Sequence, residues 1–270
     1  MKIPYTIGFV GFGKMAEAIW KGLRHARMVN PSQGWFTELN PDRCKLATDN
    51  YHIHCCDLDT LYKKSEIIIF CVKPQIIPDL LKSFPRTHLS LKFLISIAAG
   101  IPISKFEKEL GGSIQLLRVM PNTPAVVGEA LCALTFNTNV TPTFKQIGKN
   151  IFSGLGRTEI VPEEWIDGFT GLSGSGPAFF YKMAEALIEV AQEEGIPPEI
   201  SLPAIAQTLI GSGKMLLTSN KQPSELITEV ASPKGTTVAG LEQLEKTDLL
   251  DALKQIVRAA ILRSKELSQS

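Results

Sequence analysis

Three glycine-rich runs carry the residue types that hold small anions. The first, Gly11-Phe12-Gly13-Lys14-Met15-Ala16, has the G-x-G-x-x-A spacing of a dinucleotide turn. Gly11 allows the tight bend, Gly13 lets a pyrophosphate approach the backbone, and Ala16 permits close helix packing. The second, Gly171-Leu172-Ser173-Gly174-Ser175-Gly176-Pro177, ends in a proline placed where a helix takes its first residue, because the missing N–H would be unpaired there. Helix starts offer free N–H groups and partial positive charge to a carboxylate or phosphate. In the third, Ser232-Pro233-Lys234-Gly235-Thr236-Thr237, proline and glycine break one helix and two threonines open the next. Those threonines either cap that helix or present hydroxyls to a ligand.

Other chemistries lack their parts. Gly213-Lys214 is no P-loop, since Thr208 stands where the earlier glycine is needed. His52, His54, Cys55 and Cys56 are bunched, but their alternation reads as a short strand rather than a metal site. His25 and His88 fall on expected helix or loop surface, and no Ser-His-Asp or Cys-His arrangement emerges.

The elements that must position these runs follow from hydrophobic periodicity. Residues 5–10 form an apolar run into the first glycine turn, and Ala16, Ile19, Trp20 and Leu23 then recur at helical spacing. Residues 35–39 read as a second strand, after which Asn40-Pro41 supplies an N-cap and a first-turn proline. Residues 67–72 are a continuous apolar run suited to a strand buried on both faces, and 93–97, 116–120 and 131–136 add further strands. Strands alternating with helices predict βαβ units and a doubly wound, Rossmann-like domain over 1–163, with ligands beyond the carboxyl ends of the strands. Those ends carry the first glycine turn, Cys71-Val72-Lys73-Pro74, Ser96-Ile97-Ala98-Ala99-Gly100 and Met120-Pro121-Asn122-Thr123-Pro124. From Trp165 the pattern is helical, at 178–194, 202–217, 223–230 and 247–267, which predicts an all-helical second domain over 164–270 with the boundary near 162–167.

At 270 residues the chain suits one or two domains. A hydrophobic share of 44% with 20% charged residues suits a globular core. The net charge of +1 argues against a nucleic-acid surface. The longest apolar stretches, near 67–72 and 93–103, are too short to span a membrane, and the N-terminus lacks a signal-peptide pattern. Five cysteines without a C-x-x-C pair fit a reducing compartment, so a cytoplasmic location is expected.

Glu38, at the end of the second expected strand, would bind a ribose 2′-hydroxyl and repel a 2′-phosphate. Against that, Asn40-Pro41 begins a helix whose N-terminus suits a phosphate, with Arg43 in its first turn. NADH and NADPH both stay open.

Taken together, GFGKMAEAI, VKPQ, SIAAGI, RVMPNTPAVVGEA, GLSGSGPAFF and VASPKGTTVAGLEQLE resemble pyrroline-5-carboxylate reductase, in that family's order from residue 8 to about residue 245. The resemblance implies hydride transfer from NAD(P)H to the C=N carbon of 1-pyrroline-5-carboxylate, giving L-proline. It also implies a homodimer through the helical domain, or a larger ring of dimers. A cyclic imine protonates readily, which explains the missing acid–base residues; positioning is the main task. By resemblance, Ser173, Gly174, Ser175, Gly176 and Pro177 line the substrate carboxylate pocket. Thr237 contacts the ring nitrogen, and Ser232, Gly235 and Thr236 shape the neighbouring turn. Gly11, Phe12, Gly13, Lys14, Met15, Glu38, Asn40, Arg43, Val72, Lys73, Pro74, Ala98, Asn122 and Thr123 fall on the cofactor side, with Pro121 and Pro124 fixing backbone.

Two residues depart from the family pattern. Glu38 replaces a small polar residue frequent in NADPH-preferring members, and Lys234 replaces the first glycine of SPGGTT. A positive φ at 234 would strain lysine by about 1 kcal/mol, whereas a tolerant loop would let it add positive charge near the carboxylate. The rival enzymatic reading is a β-hydroxyacid dehydrogenase, which needs a lysine and, four residues on, an asparagine; Lys182 is present but Ala186 follows. A silent dinucleotide-binding sensor is the rival of another class, and it would need no substrate pocket.

Overall fold

The structure, a computed structural model, describes residues 2–269. Eight strands form one sheet: β1 Ile7–Val10, β2 Gly34–Thr37, β3 His54–Cys55, β4 Ile67–Phe70, β5 Phe93–Ser96, β6 Gln115–Met120, β7 Ala130–Phe136 and β8 Gly156–Ile160. Their order is β3-β2-β1-β4-β5-β6-β7-β8. The first six are parallel in the order of a doubly wound dinucleotide fold. β7 then runs antiparallel to β6, and β8 parallel to β7.

Six helices accompany these strands: α1 Lys14–His25, α2 Pro41–Tyr51, α3 Leu58–Lys64, α4 Ile77–Ser83, α5 Ile103–Leu110 and α6 Pro142–Ser153. The period of two along β4 divides the core between the two faces. Ile67 and Ile69 pack with residues of α1 and α6, while Ile68 and Phe70 pack with residues of α3, α4 and α5. The expected helical stripe of Ala16, Ile19, Trp20 and Leu23 is wholly buried. β8 escaped the periodicity because its sequence, GRTEI, is polar and half-exposed.

The helices that follow are α7 Ile166–Phe169, α8 Gly176–Glu193, α9 Pro198–Thr218, α10 Pro223–Val230, α11 Thr236–Glu245 and α12 Leu249–Gln269. α9 begins upstream of the expected residue 202, because Pro198 occupies a first-turn position where it starts a helix rather than stopping one. The chain divides into two compact units, Met1–Ser175 with Ala259–Ser270, and Gly176–Arg258. That division lies downstream of the boundary expected at 162–167. The end of α12 returns to the first unit, where Ser264 and Ser268 hydroxyls donate to Asp167 at 2.6 and 3.2 Å.

Within the second unit α8 and α9 pack against each other, yet α8 buries only Gly176 and α9 only Ser201. Phe180, Tyr181, Val190, Ile210 and Leu217 are all exposed. The expectation that no segment could span a membrane counted continuous apolar runs. α9, with a hydropathy of 1.2, is long and apolar enough by length and composition alone.

The cysteine count suggested no pairing, but Cys44 on α2 is disulfide-bonded to Cys55 at the end of β3, with Cα atoms 6.1 Å apart. Cys132 is buried, and burial pushes its thiol up to about 12.

Candidate active site

The parallel register aligns the carboxyl ends of the strands. Val10 stands beside both Thr37 and Phe70, and Phe70 beside Ser96. The strand order reverses between β1 and β4, so the crevice of the fold opens where Gly11 meets Cys71 and Val72. Gly11 has φ +83°, and a Cβ there would lie 2.8 Å from Val72 Cγ1 and 3.2 Å from the Cys71 carbonyl. No side chain other than hydrogen fits that bend. Gly13 caps α1 without any side-chain hydrogen bond, which leaves the first-turn N–H groups, those of Lys14 and Met15 among them, without a capping partner. A tight glycine turn feeding an uncapped helix is the cradle a dinucleotide pyrophosphate needs, so these residues fit the cofactor.

Around that turn several side chains expected to touch cofactor are committed to the protein. Phe12 is buried, its ring packed on Phe9 and Phe36. Its backbone N–H donates to Glu38 Oε2 at 3.2 Å, and its carbonyl accepts from Arg43 Nη2 at 2.8 Å. Asn40 caps α2 as expected, its Oδ1 accepting from the N–H groups of Asp42 and Arg43. Ala98 is buried and its N–H donates to Ser96 Oγ. Lys73 and Thr123 are exposed, while Val72 and Pro74 are half-buried.

α8 opens inside the run 171–177, with Gly176 its first residue and Pro177 in its first turn as expected, but the residues before it are not a simple loop. Thr170–Gly174 forms a π-helical turn after α7, Ser175 N–H donates five residues back to the Thr170 carbonyl at 2.8 Å, and α8 follows from Gly176. Gly174 lies close to the Met120 methyl at the end of β6, whereas a Cβ on Gly176 would meet open space. Pro177 lacks the N–H that would bond the Ser173 carbonyl four residues back. Asn122 fills that vacancy, its Nδ2 donating to the Ser173 carbonyl at 3.1 Å while its Oδ1 accepts from Leu131 N–H at 3.0 Å. Asn122 is therefore a clamp between the β6 loop, β7 and the π turn. Ser173 Oγ donates to the Phe169 carbonyl.

In the second unit, the Gly235 N–H donates to the Ser232 carbonyl at 2.9 Å, closing a turn with Pro233 at its second position and Lys234 at its third. Lys234 has φ +60°, the left-handed third position of a type II turn, so the lysine carries the strain expected of a positive φ. Gly235 caps α11 with no side-chain hydrogen bond. The threonines thus do not cap the helix, and among the described residues neither hydroxyl has an intramolecular partner. An open helix start with two free hydroxyls is a candidate anion site.

Pattern matching missed several supports of the first unit. Buried Arg118 on β6 pairs with Glu163 at 2.8 Å, and the same Glu163 oxygen accepts the Ile103 N–H. Glu17 on α1 accepts from Lys21 at 2.7 Å and from the Tyr51 hydroxyl at 2.5 Å, tying α1 to the end of α2. Those two bonds hold the Glu17 carboxyl below its usual range. No periodic or motif signal marks the long-range pairs Arg118–Glu163 and Tyr51–Glu17.

Residues 163–267 match the family model for pyrroline-5-carboxylate reductase dimerisation, and residues 6–100 match that for coenzyme F420-dependent NADP oxidoreductases. The chain is 36% identical to a pyrroline-5-carboxylate reductase of Pisum sativum, over 98% of this chain and 96% of that one. It is 37% identical to one of Methanosarcina acetivorans, over 97% and 98%. The chain belongs to the pyrroline-5-carboxylate reductase family. A Plasmodium falciparum pyrroline carboxylate reductase crystallised with NADP superposes with a TM-score of 0.89 at 30% identity, covering 99% of this chain and 100% of that one. In this chain a Rossmann-like domain precedes a mainly helical region. Lys182, on which the β-hydroxyacid dehydrogenase reading depends, is exposed on α8 and paired with Glu185 at 2.6 Å.

Proposed function

We propose that this reductase converts 1-pyrroline-5-carboxylate to L-proline, and that the open start of α11 carries substrate recognition. The single observation behind that assignment is the uncapped N-terminus with partnerless Thr236 and Thr237 hydroxyls. The first-turn N–H groups bind the substrate carboxylate, and the Thr237 hydroxyl engages the ring nitrogen. Ser232 and Gly235 hold the turn. By the motif shared with the family, Ser173, Gly174, Ser175, Gly176 and Pro177 are also assigned to the substrate. The reduced nicotinamide, when bound, supplies the hydride for the C=N carbon of the protonated imine, leaving L-proline and the oxidised dinucleotide. Gly11, Gly13, Lys14 and Met15 hold its pyrophosphate through backbone, and Val72, Lys73, Pro74, Ala98 and Thr123 border its path. The protein's part in the reaction is to orient both partners.

The exposed apolar faces of α8 and α9 suit a second copy of this chain, so the enzyme acts as a homodimer through residues 164–270, with rings of dimers as the larger assembly. The apolar character of α9 belongs to that interface, not to a membrane, and no nucleic-acid partner is involved. A cytoplasmic enzyme would hold Cys44 and Cys55 as thiols against the glutathione and thioredoxin pools.

The test is loss of NADH or NADPH absorbance with 1-pyrroline-5-carboxylate, with proline measured as product. Cofactor binding without turnover would support the silent sensor instead. Thr237→Ala is expected to lower kcat/KM about 10- to 100-fold, the value of one lost polar contact at the reacting centre. Undiminished kcat and KM would remove the threonine from its role.

A further inference from the structure

The carboxylate of Glu38 is held by three backbone N–H groups. Oε2 accepts from Phe12 in the glycine turn at 3.2 Å, and Oε1 accepts from Leu39 and Asn40 at 2.9 and 3.1 Å. It lies at the carboxyl end of β2, where a doubly wound fold meets the adenine ribose. We infer that Glu38 makes this enzyme selective for NADH: its carboxylate accepts the ribose hydroxyls and excludes a 2′-phosphate. This rests on the dinucleotide reading of the glycine turn.

The backbone N–H groups of residues 39–43, which would otherwise receive a 2′-phosphate, are already engaged. The N–H groups of Leu39 and Asn40 go to Glu38 itself. Those of Asp42 and Arg43, at the start of α2, go to Asn40 Oδ1 at 2.9 and 3.3 Å. Arg43, the cation in that turn, folds back over the glycine loop. Its Nη2 donates to the Phe12 carbonyl at 2.8 Å and lies 3.6 Å from where a Gly13 Cβ would stand. Asp42 adds a second acidic side chain to the first turn of α2. A 2′-phosphate would therefore meet a fixed carboxylate and no free backbone N–H at residues 39–43, while a ribose diol needs only the acceptor that Glu38 provides.

The test is equilibrium titration of the full chain with NADH and with NADPH, without substrate, followed by nucleotide fluorescence or calorimetry. The wild-type protein is expected to bind NADH about tenfold or more tightly than NADPH, the scale of a like-charge pair at a partly solvated site. Glu38→Gln keeps the size and removes the charge, and should raise NADPH affinity about tenfold with NADH affinity changing less. Glu38→Ser should also free the Leu39 and Asn40 N–H groups and invert the preference. Equal or tighter NADPH binding by the wild type would overturn the inference, as would variants that leave the ratio unchanged. Failure to bind either nucleotide would instead bring down the dinucleotide reading, and the inference with it.

Discussion

Replacing Asn122 with alanine removes two hydrogen bonds at once, the one to the Ser173 carbonyl at 3.1 Å and the one from Leu131 N–H at 3.0 Å. Asn122 is half-buried, so water reaches the stranded groups in part, and each loss costs about 1–1.5 kcal/mol, near the low end for an unsatisfied group. The expected total is about 2–3 kcal/mol. One half of that cost exists only because Pro177 lacks an N–H. In Pro177→Ala the new N–H can reach the Ser173 carbonyl four residues back, making the Asn122 bond redundant. Asn122→Ala should then cost about 1 kcal/mol less in the Pro177→Ala background than in the wild type. Urea unfolding at one fixed protein concentration, with m unchanged across the four proteins, measures that coupling. Additivity within about 0.5 kcal/mol would refute the idea that Asn122 stands in for the missing proline N–H.

Lys234→Gly should stabilise the protein by about 0.5–1 kcal/mol: relief of roughly 1–2 kcal/mol of left-handed strain outweighs the smaller entropic cost of glycine. A thermal midpoint that stays or falls would show that φ at 234 is not held positive. The same variant should raise KM for substrate about twofold if the lysine charge assists the carboxylate, as an exposed charge would; an unchanged KM assigns the lysine no part in binding. The Glu17 carboxyl is held below its ordinary 4.5 by its bonds to Lys21 and Tyr51. A depressed carboxyl stabilises the fold above its unfolded value, and that contribution is lost as pH falls through the folded value. Denaturation midpoints from about pH 7 to pH 3 should fall more steeply for the wild type than for Glu17→Gln; parallel curves would exclude Glu17 as the acid-sensitive tie between α1 and α2.

Where burial alone dictates residue type, the sequence was legible. Ile67–Phe70 must be apolar on both faces because helices cover both, so a bare apolar run identified a central strand. Asn40-Pro41 could be read as a helix start because its side-chain cap and its proline act within four residues. Strand direction was not legible. β6 and β7 are both apolar and separated by a loop that supports either sense, and only the register shows them antiparallel. β8 was invisible because it sits at the sheet edge, where Arg157 and Glu159 pair with each other instead of packing inward.

The site divides along the same line, between what a residue does locally and what it does at long range. A motif records which residue types occur at a turn, but it does not say whether side chain or backbone meets the ligand. Asn40, Asn122 and Phe12 were expected among the ligand contacts; their side chains are a helix cap, a clamp and a core ring. The free donors lie instead in the backbone at Gly13 and Gly235, where a helix begins with no side chain to cap it. Both helix starts carry glycine at the N-cap, the residue that leaves the first N–H groups open. The run 171–177, richer in glycine and more conspicuous, has its Ser175 N–H bonded within a π turn. At Gly13 and Gly235 the N-cap brings no acceptor of its own, whereas Glu38 brings an acceptor already fixed by three backbone N–H groups.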